Sequence, residues 1–237
     1  MQTMEGKIVA ITGAASGMGR AIAQGLAADG ATLALADCNG PGLAELEAAL
    51  EPYAGRLFTR VLDVTDEAGV ERFFRDLRER FGGCDVLLNA PGLSVVGKIA
   101  EMALADYDKM LDVNVKGTFL CSKHFLAGID PERGGLIVNF ASMAARRANA
   151  NAPLYCTAKA AVAMFSQGLA LQAKEQNVRV TTLYPGPTDT AFWGSRQVPR
   201  EKFMTVDDVV AAVRFVLSLP PRIVVHELAF ESFLFFK

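Results

Sequence analysis

Short apolar runs alternate with longer amphipathic stretches along the whole of this 237-residue chain. Runs rich in Val, Ile and Leu, with no polar alternation, suit strands buried on both faces. Apolar positions that return at helical spacing suit the helices that would cover them. The pattern predicts strands near 7–12, 31–36, 56–62, 84–89, 135–141, 178–184 and 223–228, and helices near 17–29, 41–51, 66–81, 104–129, 153–176 and 206–218. Gly30 and Gly82 are placed to stop two of these helices, and Asp66 and Glu67 suit a first turn. Strands and helices in this order build an α/β fold: one doubly wound parallel sheet of seven strands with helices on both faces. No repeat, low-complexity segment or linker interrupts the pattern, so residues 1–237 are expected to form a single domain.

Charge and composition narrow the partners. The chain has 24 basic and 26 acidic residues, a net charge of -2, and no block of like charge. That leaves no electrostatic footprint for nucleic acid or an anionic membrane and directs attention to a small molecule. Cys38, Cys84, Cys121 and Cys156 are scattered and there are only two histidines, so neither a disulfide framework nor a histidine-rich metal site is expected. The amino terminus lacks a basic segment followed by a long apolar run, and no apolar stretch reaches membrane-spanning length. The expectation is a soluble, cytoplasmic protein.

The glycine-rich stretch Thr12-Gly13-Ala14-Ala15-Ser16-Gly17-Met18-Gly19 follows the apolar run Ile8-Val9-Ala10-Ile11 and opens a helical pattern. This is the context of a Rossmann-type first βα turn, where glycines let the backbone approach a pyrophosphate and the helix amino terminus supplies oriented N–H groups. The second predicted strand ends in Asp37, whose carboxylate can accept both adenosine ribose hydroxyls and repel a 2′-phosphate, which favours NAD over NADP. Asp37 otherwise reads as a turn residue ahead of Asn39-Gly40-Pro41. Asp63 and Val64 end the third strand and can lie against adenine; alternatively Asp63 caps the next helix.

Tyr155-Cys156-Thr157-Ala158-Lys159 sets a phenol and an amine four residues apart, on one helix face. Such pairs occur in many helices, and the specificity lies in their company. The glycine turn, Asn114 within Asp112-Val113-Asn114-Val115, Ser142 after the fifth strand, the Tyr155/Lys159 pair and Pro185-Gly186 after the sixth strand occur in order. Together they resemble the classical short-chain dehydrogenase/reductase family over almost the whole chain. The resemblance implies that Tyr155 exchanges the proton when a secondary alcohol and a ketone are interconverted. Lys159 would lower the phenol from its ordinary pKa near ~10 and hold the nicotinamide ribose. Ser142 would position the substrate oxygen, and Asn114 would anchor a water leading protons from the lysine to solvent. The implied cofactor contacts are Gly13, Ser16, Gly17, Met18, Gly19, Asp37, Asp63, Val64, Asn89, Ala90, Gly92, Tyr155, Lys159, Pro185, Gly186, Thr188 and Thr190, and no metal takes part. Thr188 would contribute backbone groups and Thr190 its hydroxyl.

Two departures stand out against the family pattern. Asn89-Ala90-Pro91-Gly92 replaces Asn-Asn-Ala-Gly after the fourth strand, and the last strand runs into Phe230-Glu231-Ser232-Phe233-Leu234-Phe235-Phe236-Lys237 rather than ending in Asp-Gly-Gly. The substrate loop spans about 187–205; its Phe192, Trp193 and Phe203 either line a partly apolar pocket or pack the core. Arg146 and Arg147 either meet an anionic substrate group or lie exposed. The expected activity is that of an NAD(H)-dependent alcohol/ketone oxidoreductase. The alternatives are a 3-oxoacyl thioester reductase, which commonly prefers NADPH, and a noncatalytic dinucleotide-sensing scaffold. The family habit of pairing long helices across subunits, together with the Phe-rich tail, leads to the expectation of a homo-oligomer, a tetramer or alternatively a dimer.

Overall fold

Seven strands form, and all lie parallel in one sheet of order β3-β2-β1-β4-β5-β6-β7. The computed structural model describes residues 4–236, without the side chain of Phe236; residues 1–3, Lys237 and that side chain lie outside the described residues. The strands are β1 (Ile8–Thr12), β2 (Thr32–Asp37), β3 (Leu57–Val61), β4 (Val86–Asn89), β5 (Gly135–Phe140), β6 (Val178–Pro185) and β7 (Glu227–Phe230). The helices are α1 (Gly17–Ala28), α2 (Gly40–Ala49), α3 (Glu67–Phe81), α4 (Leu104–Leu111), α5 (Gly117–Leu126), α6 (Pro153–Ala173) and α7 (Val206–Leu217).

Successive strand side chains point to opposite faces, so a run that is apolar at every position feeds two cores. Val9, Ile11, Leu33, Leu35 and Leu88 join one core with Ile22, Leu26, Leu46 and Val213 from α1, α2 and α7. Ile8, Ala10, Ala34, Leu87 and Ile137 join the other, with Phe73, Phe74, Leu77 and Phe125 from α3 and α5. The winding reverses between β1 and β4, and a crevice opens at their carboxyl ends, where ligands bind in sheets of this kind.

Three boundaries differ from expectation. The stretch predicted as one helix, 104–129, is α4 and α5 joined by a π-helical turn, Asp112–Lys116, and α5 ends at Leu126. Within the turn, the Asn114 side-chain amide donates to the Met110 carbonyl at 2.8 Å, the acceptor that residue 114's backbone N–H takes in an unbroken α-helix. The helix predicted over 41–51 stops at Ala49; Pro52 lacks an N–H, and the chain continues as a 3-10 turn over Glu51–Arg56. The last strand starts four residues later than expected. Its pairing with β6 begins at Thr182 opposite Glu227, and Leu228 and Phe230 pack on the core while Ile223 and Val224 stay exposed.

A chain of buried polar groups crosses the middle of the sheet at its carboxyl end. Thr12 Oγ1 donates to Asn89 Oδ1 at 3.3 Å, and Asn89 Nδ2 donates to Asn139 Oδ1 at 2.9 Å and to Ser122 Oγ at 3.3 Å. Asn139 Nδ2 donates to Ser166 Oγ at 2.8 Å, and the Ser122 and Ser166 hydroxyls each donate to a helix carbonyl at 2.7 Å. All five residues are buried. Asn89→Ala would leave the Asn139 carbonyl oxygen without its amide donor in a dry interior, so we expect a loss of about 2 to 3 kcal/mol in urea-denaturation stability.

Candidate active site

The glycine turn forms one wall of a cleft of about 1320 Å³ at the carboxyl ends of the strands. Gly13 has φ 73°, and a Cβ there would stand 2.7 Å from the Pro91 backbone nitrogen, so only glycine fits between β1 and the loop after β4. A Cβ on Gly19 would meet the Gly13 carbonyl oxygen at 2.1 Å. Across the opening of α1, a Cβ on Gly17 would lie 3.4 Å from the Thr190 side chain, which places the loop after β6 over the helix amino terminus. This bare backbone, held open by glycines at the positive end of a twelve-residue helix, suits a pyrophosphate.

Asp37 ties the end of β2 to that turn. Its carboxylate accepts the Ala15 N–H at 2.9 Å through one oxygen and the Asn39 N–H at 2.9 Å through the other, and it lines the cleft. Asn39, not Asp37, caps α2, through its side chain and the Gly42 N–H. Asp63 accepts the Thr65 N–H and hydroxyl in a local turn and, with Val64, lines the same end of the cleft. Ser16, Met18, Ala90, Gly92, Pro185, Gly186, Thr188 and Thr190 line it as well. Asn89 does not. Its amide is spent inside the sheet on Ser122 and Asn139, so its side chain faces the core rather than the cleft.

Ser142, Tyr155 and Lys159 meet where β5 and α6 border the cleft. Ser142 Oγ accepts the Ala144 N–H at 3.1 Å, which orients the hydroxyl so that its own hydrogen can donate elsewhere. Lys159 is 3% exposed; its ammonium donates to the Phe140 carbonyl at 2.8 Å and stands 5.9 Å from the centre of the Tyr155 ring. The expected lowering of the phenol by this lysine is not what the geometry gives. Burial dominates both groups, and burial favours neutral forms: it pushes Tyr155 up to about 12, against a smaller lowering by the Ser142 hydroxyl, and Lys159 down to about 8.

Asn114 lies behind this cluster, wholly buried at 0% exposure, rather than on the cleft surface. Its amide is fixed by the Met110 and Leu93 carbonyls, and its Oδ1 is a buried acceptor with no donor among the described residues. Gly92 connects the two: a Cβ there would lie 3.8 Å from Lys159 Nζ and 4.0 Å from Asn114 Oδ1. The glycine thus leaves a bare passage between the lysine and the asparagine oxygen.

The other end of the cleft is aromatic. Phe192 leans on Tyr155 at 5.7 Å between ring centres, Trp193 on Phe192 at 5.6 Å, Phe203 on Trp193 at 4.9 Å and Phe235 on Phe203 at 6.1 Å. Phe192, Trp193 and Phe235 line the cleft, whereas Phe203 is buried behind them. The Phe-rich tail therefore reaches the active-site wall of its own chain. Arg146 pairs with Glu227 and lies 4.0 Å over the Tyr184 ring, and Arg147 pairs with Glu231. Both arginines bind the last strand and the segment after it to the loop that follows Ser142. Two features escaped the sequence reading: the polar chain through Asn139, Ser122 and Ser166, and Arg196, which stacks on Phe192 and Trp193 at 5.0 and 5.2 Å. No local motif marks either, although polar residues inside predicted buried runs were a signal for the first.

The depressed lysine has a measurable consequence. Its folded pKa of about 8 lies below the ordinary 10.5, so the charged form is penalised in the folded state; that cost is full below pH about 8 and fades as pH rises to 10.5. Lys159→Met is expected to raise the melting temperature at neutral pH. Its advantage over the wild type should shrink across that window, as thermal melts at a series of pH values would show.

Comparison with known proteins places this geometry. Residues 7–200 match the family described as short chain dehydrogenase. An uncharacterized oxidoreductase of Staphylococcus aureus is 31% identical over 96% of this chain and 98% of its own. A sorbitol dehydrogenase of Cereibacter sphaeroides is 36% identical over 80% of this chain and 73% of its own. The solved structure of an alcohol dehydrogenase from the archaeon Thermococcus sibiricus, complexed with 5-hydroxy-NADP, superimposes with a TM-score of 0.89 at 32% identity, covering 96% of this chain and 97% of the other. On a match that takes in both the glycine turn and the Tyr155/Lys159 helix, the chain belongs to the short-chain dehydrogenase family of oxidoreductases.

Proposed function

We propose that the protein interconverts a secondary alcohol and a ketone with NAD(H), using one domain for both cofactor and substrate. The observation that carries this reading is the meeting of Ser142, Tyr155 and buried Lys159 on the wall of the cleft that the glycine turn opens. A nicotinamide bound there would supply the hydride exchange. Gly13, Ser16, Gly17, Met18 and Gly19 would take the pyrophosphate, with Asp63, Val64 and Ala90 along the adenosine side. Gly92, Pro185, Gly186, Thr188 and Thr190 would border the nicotinamide end. Ser142 donates its hydroxyl hydrogen to the substrate oxygen. Tyr155, kept protonated by burial, gives its proton to that oxygen in reduction and takes it back in oxidation. Lys159 and Asn114 Oδ1, on either side of Gly92, lead the proton onward to solvent.

Tyr155→Phe keeps the ring and removes the proton. Turnover should fall by about 10²- to 10⁴-fold while NADH still binds, as fluorescence titration would show. Near-normal turnover would overturn the mechanism.

Asp37 supports NAD over NADP, because a carboxylate fixed by two N–H groups beside the ribose site repels a 2′-phosphate. The wild type should have the higher kcat/KM with NADH, and Asp37→Ala should narrow that preference at least about tenfold. A wild type that works better with NADPH would refute the assignment.

Exposed Leu104, Phe119, Met164 and Leu171 on α4, α5 and α6 support a homotetramer. Sedimentation at a tetramer's mass is the expected result, and a monomer would refute it.

A further inference from the structure

We propose that the substrate carries a carboxylate, and that Arg196 on the substrate loop binds it. The proposal rests on the carbonyl-reducing reading of the cleft and adds the class of molecule. The acids that line the cleft among the described residues, Asp37 and Asp63, both lie at the adenosine end. The rest of the charged lining is cationic: Lys98, Lys109, Arg147, Lys159 and Arg196. Two of the five are paired with carboxylates, and Lys159 is held by the Phe140 carbonyl at the proton-handling site. Lys98 stands 3.7 Å from Glu101, and Arg147 pairs with Glu231. Arg196 has no carboxylate within ion-pair distance among the described residues. Its hydrogen bonds go to two backbone carbonyls, those of Trp193 at 2.9 Å and of Phe192.

Those bonds and the two ring contacts fix the guanidinium in place. Its Nε and one Nη are used by the loop's own carbonyls, its face lies on Phe192 and Trp193, and the remaining N–H donors stay available in a fixed fork. Little side-chain freedom is left to lose on binding. Phe192 stands between the cation and the chemistry: its ring centre is 5.7 Å from that of Tyr155 and 5.0 Å from the Arg196 guanidinium carbon. A short carbon chain can therefore present a carbonyl to Tyr155 and an anion to Arg196 along the aromatic wall. A single guanidinium fork fixed on the aromatic wall matches a planar, monoanionic carboxylate in bidentate geometry. Arg196 also acts on Tyr155 through space, favouring its phenolate, so the cation stands within electrostatic reach of the reacting oxygen.

Matched pairs of short aliphatic oxo acids and their methyl esters test the assignment, assayed with NADH on the full chain. The wild type should favour an acid over its ester by about tenfold or more in kcat/KM. Arg196→Gln should erase that preference, raising KM for the acids while leaving KM for the esters in place, and Arg196→Lys should restore part of it. A wild type that uses esters as well as acids overturns the proposal. So does an Arg196→Gln variant that loses acids and esters alike, since that is the mark of a residue that only braces the loop. Trp193 is the sole tryptophan of the chain and touches Arg196, which gives a readout without turnover. In the NADH complex its fluorescence should change saturably with the oxo acid and not with the ester. If the acid binds in this way but neither compound is reduced, the carboxylate site stands and the oxidoreductase reading falls. If neither binds while neutral ketones are reduced, the reverse holds.

Discussion

The site hangs on the hydrogen-bonded chain Thr12–Asn89–Asn139–Ser166, with its branch to Ser122, inside the carboxyl end of the sheet. Amides and hydroxyls in a dry interior are costly unless paired, and once each is paired they admit few alternative arrangements. Thr12, Asn89 and Asn139 sit on three adjacent strands, so the chain levels the points at which β1, β4 and β5 release their loops. Gly13 follows Thr12 and Ala90 follows Asn89, which sets the close approach of Gly13 to Pro91. Phe140 follows Asn139, and its carbonyl holds Lys159 at 2.8 Å. One network thereby positions both the cofactor turn and the anchor of the proton-handling lysine.

Burial then sets the electrostatics. The same exclusion of water that raises the Tyr155 phenol lowers the Lys159 ammonium, so both groups are drawn toward their neutral forms. A phenol raised by burial suits a site that must hold its proton and release it only when a hydride moves, and an amine brought down to about 8 exchanges its own proton more readily than a free lysine does. Among the protein's own groups, the Ser142 hydroxyl and Arg196 favour the phenolate, while Lys159 is held by a carbonyl and is oriented toward the passage beside Gly92. The lysine is thus better placed to pass protons than to create the base.

The central strands were legible because they are nearly continuous apolar runs, as in Ile8–Thr12 and Val86–Asn89, and the cleft because the glycine turn and the Tyr155/Lys159 pair lie on elements of unmistakable period. What stayed hidden depends on contacts remote in sequence. The π-helical turn at Asn114 arises where a side-chain amide takes a helix carbonyl, which leaves helical periodicity nearly unchanged. Asn89 reads as a loop-facing residue from its place at a strand end, and only Ser122 and Asn139 reveal that its amide turns inward. The start of β7 follows the reach of β6 rather than the β-branched run at 223–225. Arg146 and Arg147 read as free cations until the chain end, more than eighty residues on, supplies their acids.

The two ends of the cleft are built on different principles, and that difference governs how each can change. At the cofactor end the fit is backbone against backbone: a Cβ on Gly13 or Gly19 would stand well inside contact distance of main-chain atoms, which cannot move aside. At the substrate end the wall is made of side chains on a loop and a tail, in ring-to-ring contact from Phe192 to Phe235 and tied down by the Arg147–Glu231 pair. Side chains of that kind can be exchanged one at a time without disturbing the sheet. Because Phe235 packs on Phe203, which packs on Trp193, a change in the tail is transmitted to the residues beside Arg196 and Tyr155. The chain end, which carries no group for the chemistry itself, therefore shapes the space in which that chemistry selects its substrate.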